Sequence, residues 1–141
     1  MVQLIVGEKG KGKTKYILDK VNAAVKEANG SIVYLDKSTK HMYELNNKIR
    51  LVDVSAFPLT DSHEFVGFIC GIISQNRDIE AVYLDAFLKL AKLEGDVEKI
   101  TECINRLAVV SDTFKVDFVI SMSISPDALD ESIKDKVEIA L

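Results

Sequence analysis

The feature that most constrains the fold is GEKGKGKT, a run of eight residues at positions 7–14 with three glycines and three lysines. An apolar segment precedes it at residues 2–6. After it, apolar residues recur three and four positions apart, which is the period of an amphipathic helix. Glycines between a strand and a helix allow backbone conformations that other residues avoid. This stretch therefore predicts a strand, a tight glycine-rich loop and a helix, in that order.

The spacing of this run satisfies the P-loop (Walker A) pattern, Gly7-x-x-x-x-Gly12-Lys13-Thr14. Such a loop turns its backbone N–H groups toward one point, where the following helix also directs the positive end of its dipole. We predict that it binds ATP, with Lys13 on the β and γ phosphates and the Thr14 hydroxyl on Mg²⁺. The predicted nucleotide-binding residues are Gly7, Glu8, Lys9, Gly10, Lys11, Gly12, Lys13, Thr14 and Lys15.

The rest of the chain alternates short apolar segments with amphipathic ones. Further strands are predicted at residues 31–36, 48–54, 80–86 and 116–123, and further helices from residue 61 and over 96–110. A short helix capped by Ser38 is predicted within residues 38–47, and residues 136–141 suit either a last strand or a helix. Strands that alternate with helices predict a mainly parallel sheet in a three-layer α/β/α P-loop sandwich, with residues 1–141 as one domain.

A P-loop also needs a carboxylate that holds the water shell of Mg²⁺, at the end of a strand beside the loop. Two strands end in nearly the same way, AVYLD at Asp85 and IVYLD at Asp36. We choose Asp85 because it follows a further strand and helix, and we expect Asp36 at the same carboxyl edge of the sheet, where ligands bind. The predicted metal ligands are Thr14 and Asp85, and the predicted catalytic residues are Lys13, Asp85 and Asp36.

With these segments in the order GEKGKGKT, IVYLDKS, IRLVDVS, AVYLDAFLKL and DFVISMS, nearly the whole chain resembles the nucleotide-binding core of RecA-like ATPases. It is also similar to the small stand-alone bacterial P-loop proteins sometimes labelled twitching-motility ATPases. The resemblance implies that the strand at residues 118–121 lies between the P-loop strand and the Asp85 strand. It also implies a polar sensor at the end of that strand, either Ser121 or Ser123.

The resemblance further implies a glutamate that positions the attacking water. Many P-loop ATPases carry it directly after the metal-holding aspartate, where this chain has Ala86. RecA-like proteins carry it just past the second strand, where residues 37–39 are Lys, Ser and Thr. Asp36 is the nearest substitute, and Glu8 of the loop is expected to face solvent. We therefore predict a nucleoside triphosphate-binding protein with slow or partner-stimulated, Mg²⁺-dependent ATPase activity.

Two other functions stay open at this stage. One is a nucleotide-responsive binding or regulatory module without turnover, which would need no water-positioning glutamate. The other is a small-molecule kinase. We rank the kinase last because the chain has three arginines, none of them clustered as in a lid over phosphates.

Composition limits the partners. The net charge of −4 and the isoelectric point of about 5.2 disfavour nucleic acid, which is usually bound by a basic surface. No apolar run approaches the ~20 residues needed to cross a bilayer, and no leader is evident, so we expect a cytoplasmic protein without membrane insertion. Cys70 and Cys103 lie on predicted buried helix faces, which favours reduced thiols over a disulfide or a metal site.

A protein partner or a second copy of the chain is a further possibility. The apolar residues Phe87, Leu88 and Leu90 form either a partner surface or, as we prefer, part of the core.

Overall fold

The computed structural model describes residues 1–141 and contains one sheet of six parallel strands. The strands are β1 (Val2–Gly7), β2 (Ser31–Asp36), β3 (Arg50–Asp53), β4 (Ile79–Leu84), β5 (Asp117–Ser123) and β6 (Val137–Ala140). The α-helices are α1 (Lys13–Glu27), α2 (Ser62–Gln75), α3 (Phe87–Leu90) and α4 (Val97–Phe114). Short 3₁₀ turns at Met42–Glu44, Val54–Ala56, Pro126–Ala128 and Glu131–Lys136 complete the regular structure.

The strand order is β3-β2-β4-β5-β1-β6, so β5 lies between β1 and β4. That position agrees with the one expected for the strand at residues 118–121. The tail, for which strand and helix were both open, forms β6 and pairs with β1. Since all strands are parallel, their carboxyl ends lie at one edge of the sheet, where the glycine-rich loop follows β1.

Helices cover both faces of the sheet, in three layers. Along β2, Val33 and Leu35 face a cluster of 29 buried residues with α2 and α4, whereas Ile32 and Tyr34 face a cluster of nine with α1. Successive residues of a strand point to opposite faces, so this alternation follows directly from the pleat. The prediction of an α/β fold with helices around a mainly parallel sheet is confirmed.

Two of the helices begin where the sequence predicts, at aspartates that cap them. Asp61 accepts a hydrogen bond from the N–H of Glu64 at 2.9 Å, and Asp96 accepts one from the N–H of Lys99 at 3.1 Å. Each bond satisfies one of the amides that lack a partner in the first turn of a helix. Helix α4 continues past the predicted end at residue 110 and stops at Phe114.

Two expectations about local structure are wrong, and one helix was missed. The predicted helix within residues 38–47 is only the 3₁₀ turn Met42–Glu44. The side chain of Asn22 bonds the Glu44 carbonyl and the Asn46 N–H, both at 2.8 Å, and holds this segment in an irregular conformation. Strand β3 begins at Arg50 rather than at residue 48, because Ile49 N–H turns back to the Asn46 carbonyl. Helix α3 was not predicted.

The apolar residues of α3, Phe87, Leu88 and Leu90, are all buried in the larger cluster. They therefore belong to the core, as we preferred, and not to an exposed partner surface. The two cysteines are free thiols, Cys103 buried and Cys70 half-buried. None of the helices is both long and apolar enough to cross a bilayer.

Candidate functional site

The glycine-rich loop, residues 7–14, joins β1 to α1, and its backbone amides from Glu8 onward have no partners. Gly10 and Gly12 have φ angles of +85° and +91°, in the left-handed region that favours glycine. The N–H groups of residues 8–15 find no acceptor within the protein, and no side chain caps α1. A row of free amide donors at the start of a 15-residue helix attracts an anion through both hydrogen bonding and the helix dipole.

The amine of Lys13, the first residue of α1, lies back over this loop. It donates a hydrogen bond to the carbonyl oxygen of Glu8 at 2.9 Å, and the residue is only 7% exposed. Burial lowers the pKa of Lys13 from its usual value, and the nearby carboxylate of Asp85 partly offsets that effect. The one hydrogen bond of the Lys13 amine goes to a neutral carbonyl oxygen, and the amine forms no ion pair. It is therefore available to an anion bound beside the loop.

Asp85 directly follows β4. It is buried, with 4% of its surface exposed, and its carboxylate accepts four hydrogen bonds. Its Oδ2 accepts from the Thr14 hydroxyl at 3.1 Å and from the Tyr34 hydroxyl at 3.3 Å. Its Oδ1 accepts from the Ser121 hydroxyl at 2.5 Å and from the N–H of Ala86 at 2.9 Å. Donors from α1, β2 and β5 thus hold this carboxylate in one orientation beside the glycine-rich loop.

The structure brings together the two residues predicted to hold Mg²⁺, Thr14 and Asp85. A hydroxyl and a carboxylate oxygen are the hard ligands that Mg²⁺ prefers, and this ion commonly takes one or two carboxylates together with substrate phosphates and water. The chain has no group of three or more His, Cys, Asp or Glu side chains placed to hold a metal ion. The donor set therefore fits an Mg²⁺ ion that arrives with a phosphate ligand, and does not form a protein-only cage.

Asp36, the other predicted carboxylate, lies below the surface and outside the cleft. It is 2% exposed, its Oδ1 accepts the N–H of Lys37 at 2.7 Å, and its Oδ2 has no hydrogen-bond partner. Burial raises the pKa of Asp36, and the negative charge of Asp85 raises it further, against the lowering effect of the hydrogen bond from Lys37. Asp36 is therefore not in a position to orient a water molecule in the cleft.

The loop and Asp85 line a cleft of about 800 Å³, hereafter the main cleft, which is within the usual size range of small-molecule sites. Of the nine predicted nucleotide-binding residues, Gly7 and Lys11 do not line it. The lining residues are Glu8, Lys9, Gly10, Gly12, Lys13, Thr14, Lys15, Lys37, Asp85, Ala86, Leu88, Lys89, Glu94, Gly95, Ser121, Ser123, Ile124 and Ser125. Glu8 is exposed but lines this cleft, and Asp85 and Glu94 are the other two carboxylates in its wall.

Sequence reasoning missed several residues of this site. Tyr34 and the lysines at positions 37 and 89 were not assigned a role, although the alternation of β2 gives Tyr34 the same face as the other hydrogen-bond donors to Asp85. The other lining residues that were not predicted are Glu94, Gly95, Ile124 and Ser125. The structure also separates the two serines considered for β5. Ser121 is buried against Asp85, whereas Ser123 is exposed in the main cleft.

No protein-family model matches the chain, and no curated protein matches it either. What can be inferred about function therefore depends on the geometry of the glycine-rich loop and of Asp85.

Proposed function

We propose that this chain binds a nucleoside triphosphate, ATP, together with Mg²⁺ in the main cleft. The observation that carries the proposal is the convergence of Lys13, Thr14 and Asp85 on a loop whose amides have no acceptor. Each of the three has the chemistry that a phosphate–Mg²⁺ ligand requires, which is a cation, a hydroxyl and a carboxylate. A lysine-rich turn that is only exposed to solvent would not require a buried lysine, a hydroxyl and a carboxylate beside it.

In this proposal the amides of residues 8–15 bind the phosphate oxygens, and Lys13 exchanges its bond to the Glu8 carbonyl for the β and γ phosphates. Thr14 and Asp85 hold Mg²⁺ between the protein and the nucleotide. The fold would then be that of a P-loop NTPase with a RecA-like core. The strand order supports this, because β5 separates the loop strand from the Asp85 strand.

We further propose that hydrolysis is slow. An efficient ATPase holds a carboxylate or amide against the attacking water. Ala86 follows Asp85, Lys37 follows β2 at the edge of the main cleft, and Asp36 is buried outside it. Glu8 and Glu94 do line the cleft, but both are exposed and no hydrogen bond fixes either carboxylate against a water molecule. The same observation favours a second candidate, a nucleotide-responsive binding module without turnover. No arginine lines the main cleft, so nothing favours the kinase alternative.

Calorimetric titration with ATP and Mg²⁺ tests the proposal, with wild type, Lys13→Ala and Lys11→Ala compared at 0.15 M salt. We expect binding by the wild type, a loss of at least about tenfold in Lys13→Ala because a charge-assisted contact is removed, and little change in Lys11→Ala. Lys11 is the matched control, since it belongs to the same loop but does not line the main cleft. Equal binding by Lys13→Ala and wild type would overturn the proposal.

The same titration separates the two candidates for turnover. Discrete heats that return to baseline indicate binding alone. A sustained heat after each injection indicates hydrolysis, which a phosphate-release assay on the same protein then quantifies.

A further inference from the structure

Two lysines that the proposed chemistry does not use face the glycine-rich loop across the main cleft. Lys37 directly follows β2, and Lys89 belongs to α3. Both line the main cleft, and both also line a smaller adjoining cleft of about 230 Å³. They come from different elements, so their meeting at one wall of the cleft is a product of the fold.

The two side chains line the same two clefts, and the positive charge of Lys89 is close enough to act on the Lys37 amine. Neither forms an ion pair with a carboxylate, whereas Lys15, Lys20, Lys99 and Lys134 all do. Burial lowers the pKa of Lys37, and the neighbouring Lys89 lowers it further, which is the effect that one positive charge has on another. The carboxyl groups of Asp36 and Asp85 oppose this effect but form no ion pair with Lys37. Two adjacent cations that no carboxylate pairs attract a ligand with concentrated negative charge.

The position of the pair indicates which part of a ligand it would contact. In the sheet, β1 with the glycine-rich loop and β2 with Lys37 lie on opposite sides of β4 and its Asp85. Leu35 pairs with Leu84, so Lys37 follows its strand just where Ala86 follows the neighbouring one. A nucleotide whose inner phosphates occupy the loop would extend its last phosphate over Asp85 toward Lys37 and Lys89.

We propose that Lys37 and Lys89 together bind the terminal phosphate of a nucleoside triphosphate, and so make the main cleft selective for triphosphate over diphosphate. This inference rests on the proposed function, and it adds the residues that recognise the number of phosphates. It also gives a reason for a lysine just past β2, where a water-positioning glutamate would serve hydrolysis. A cation there stabilises the bound triphosphate and activates no water.

The test compares dissociation constants for two ligands, ADP and the non-hydrolysable β,γ-imido analogue of ATP, each with Mg²⁺ at 0.15 M salt. The proteins are wild type, Lys37→Met, Lys89→Met, the double variant and Lys92→Met. Methionine keeps most of the length of the lysine side chain and removes the charge. Lys92 is the matched control, because it lines the smaller cleft beside the pair but not the main cleft.

We expect each single variant to weaken triphosphate binding by about tenfold, the double variant to weaken it more, and ADP binding to change by less than about threefold. Lys92→Met should change neither. Equal losses for both nucleotides, or no loss for the triphosphate analogue, would overturn the inference while leaving the proposed function intact. If the wild type binds neither nucleotide, the proposed function fails and the inference fails with it. Thermal unfolding of every variant checks that the fold is retained.

Discussion

Asp36 and Asp85 end neighbouring strands with the same four residues, VYLD, paired in register from Val33–Val82 to Leu35–Leu84. Both aspartates are almost completely buried. Asp85 nevertheless accepts four hydrogen bonds, from a helix, two strands and the following amide. Asp36 accepts one, and its other oxygen has none.

The difference arises from what surrounds each strand end. Strand β4 is central, so β5 contributes Ser121 on one side, β2 contributes Tyr34 on the other, and α1 contributes Thr14. Strand β2 lies between β4 and the short β3, farther from the glycine-rich loop. A buried polar group is stable only where hydrogen-bond partners replace water. The fold thus supplies one of two equivalent aspartates with enough donors to fix its orientation beside the main cleft.

The largest expected effect that tests this contrast is on Mg²⁺-dependent nucleotide binding. In Asp85→Asn we expect the affinity for ATP with Mg²⁺ to fall by about 10- to 100-fold, which is the usual loss when a residue that positions the ligands of a metal ion is changed. In Asp36→Asn we expect a change of less than about twofold. Calorimetry with and without Mg²⁺ measures both. A loss in Asp36→Asn as large as that in Asp85→Asn would remove the distinction between the two carboxylates.

The next effect is on stability, through the shortest of the Asp85 bonds. Ser121→Ala removes a donor to a buried charge and should lower the free energy of unfolding by about 2 kcal/mol. Ser123→Ala, two residues along the same strand but exposed, should change it by less than about 0.5 kcal/mol. Urea unfolding of both variants measures the difference. Equal values for the two serines would contradict a role for Ser121 in holding Asp85.

A smaller effect distinguishes the two tyrosines of the repeated VYLD segments. Tyr34→Phe removes the hydroxyl that donates to Asp85 and should cost about 1 kcal/mol, because the ring stays in place. Tyr83 pairs with Tyr34 across the sheet but its hydroxyl forms no hydrogen bond within the protein, so Tyr83→Phe should be nearly neutral. The same unfolding series measures both variants, and the reverse order of the two costs would count against the assigned bond.

The smallest expected effect is a pH dependence at Asp36. A carboxyl group with a raised pKa in the folded protein contributes its full stability below its unfolded pKa of about 3.9, and loses it as the pH rises through the folded value. Asparagine does not titrate there. The stability of wild type relative to Asp36→Asn should therefore fall as the pH rises above about 4.

Four influences act on that titration, namely burial, the charge of Asp85, the charge of His41, and Lys37 through both its N–H and its amine. Urea unfolding of both proteins from pH 4 to 8 measures this difference. A His41→Gln background removes the only histidine among these influences. If the difference in free energy of unfolding stays constant, or changes in favour of wild type as the pH rises, the pKa of Asp36 is not raised in the folded protein.

The position of β5 between β1 and β4 agrees with what the resemblance to RecA-like ATPases implied, whereas the meeting of Thr14 with Asp85 has a physical reason that the sequence shows. Parallel strands bring their carboxyl ends to one edge, so residues that follow different strands become neighbours. The exclusion of Asp36 from the cleft could not be predicted, because its local sequence is the same as that of Asp85. The pairing of Lys37 with Lys89 was equally hidden, since it depends on α3, a single turn formed because Phe87 and Leu90 bury their side chains.

The measurement that tests the central claim most directly is a two-dimensional ¹H–¹⁵N NMR titration of the 15.7 kDa protein with ATP and Mg²⁺. If the free amides of the glycine-rich loop bind phosphate, the largest shifts will occur at residues 8–15, with smaller ones at Ala86, Lys37 and Lys89, and Lys13→Ala will abolish them. If the loop amides do not shift while the protein is saturated with nucleotide, the phosphates bind elsewhere and the glycine-rich loop is not their site.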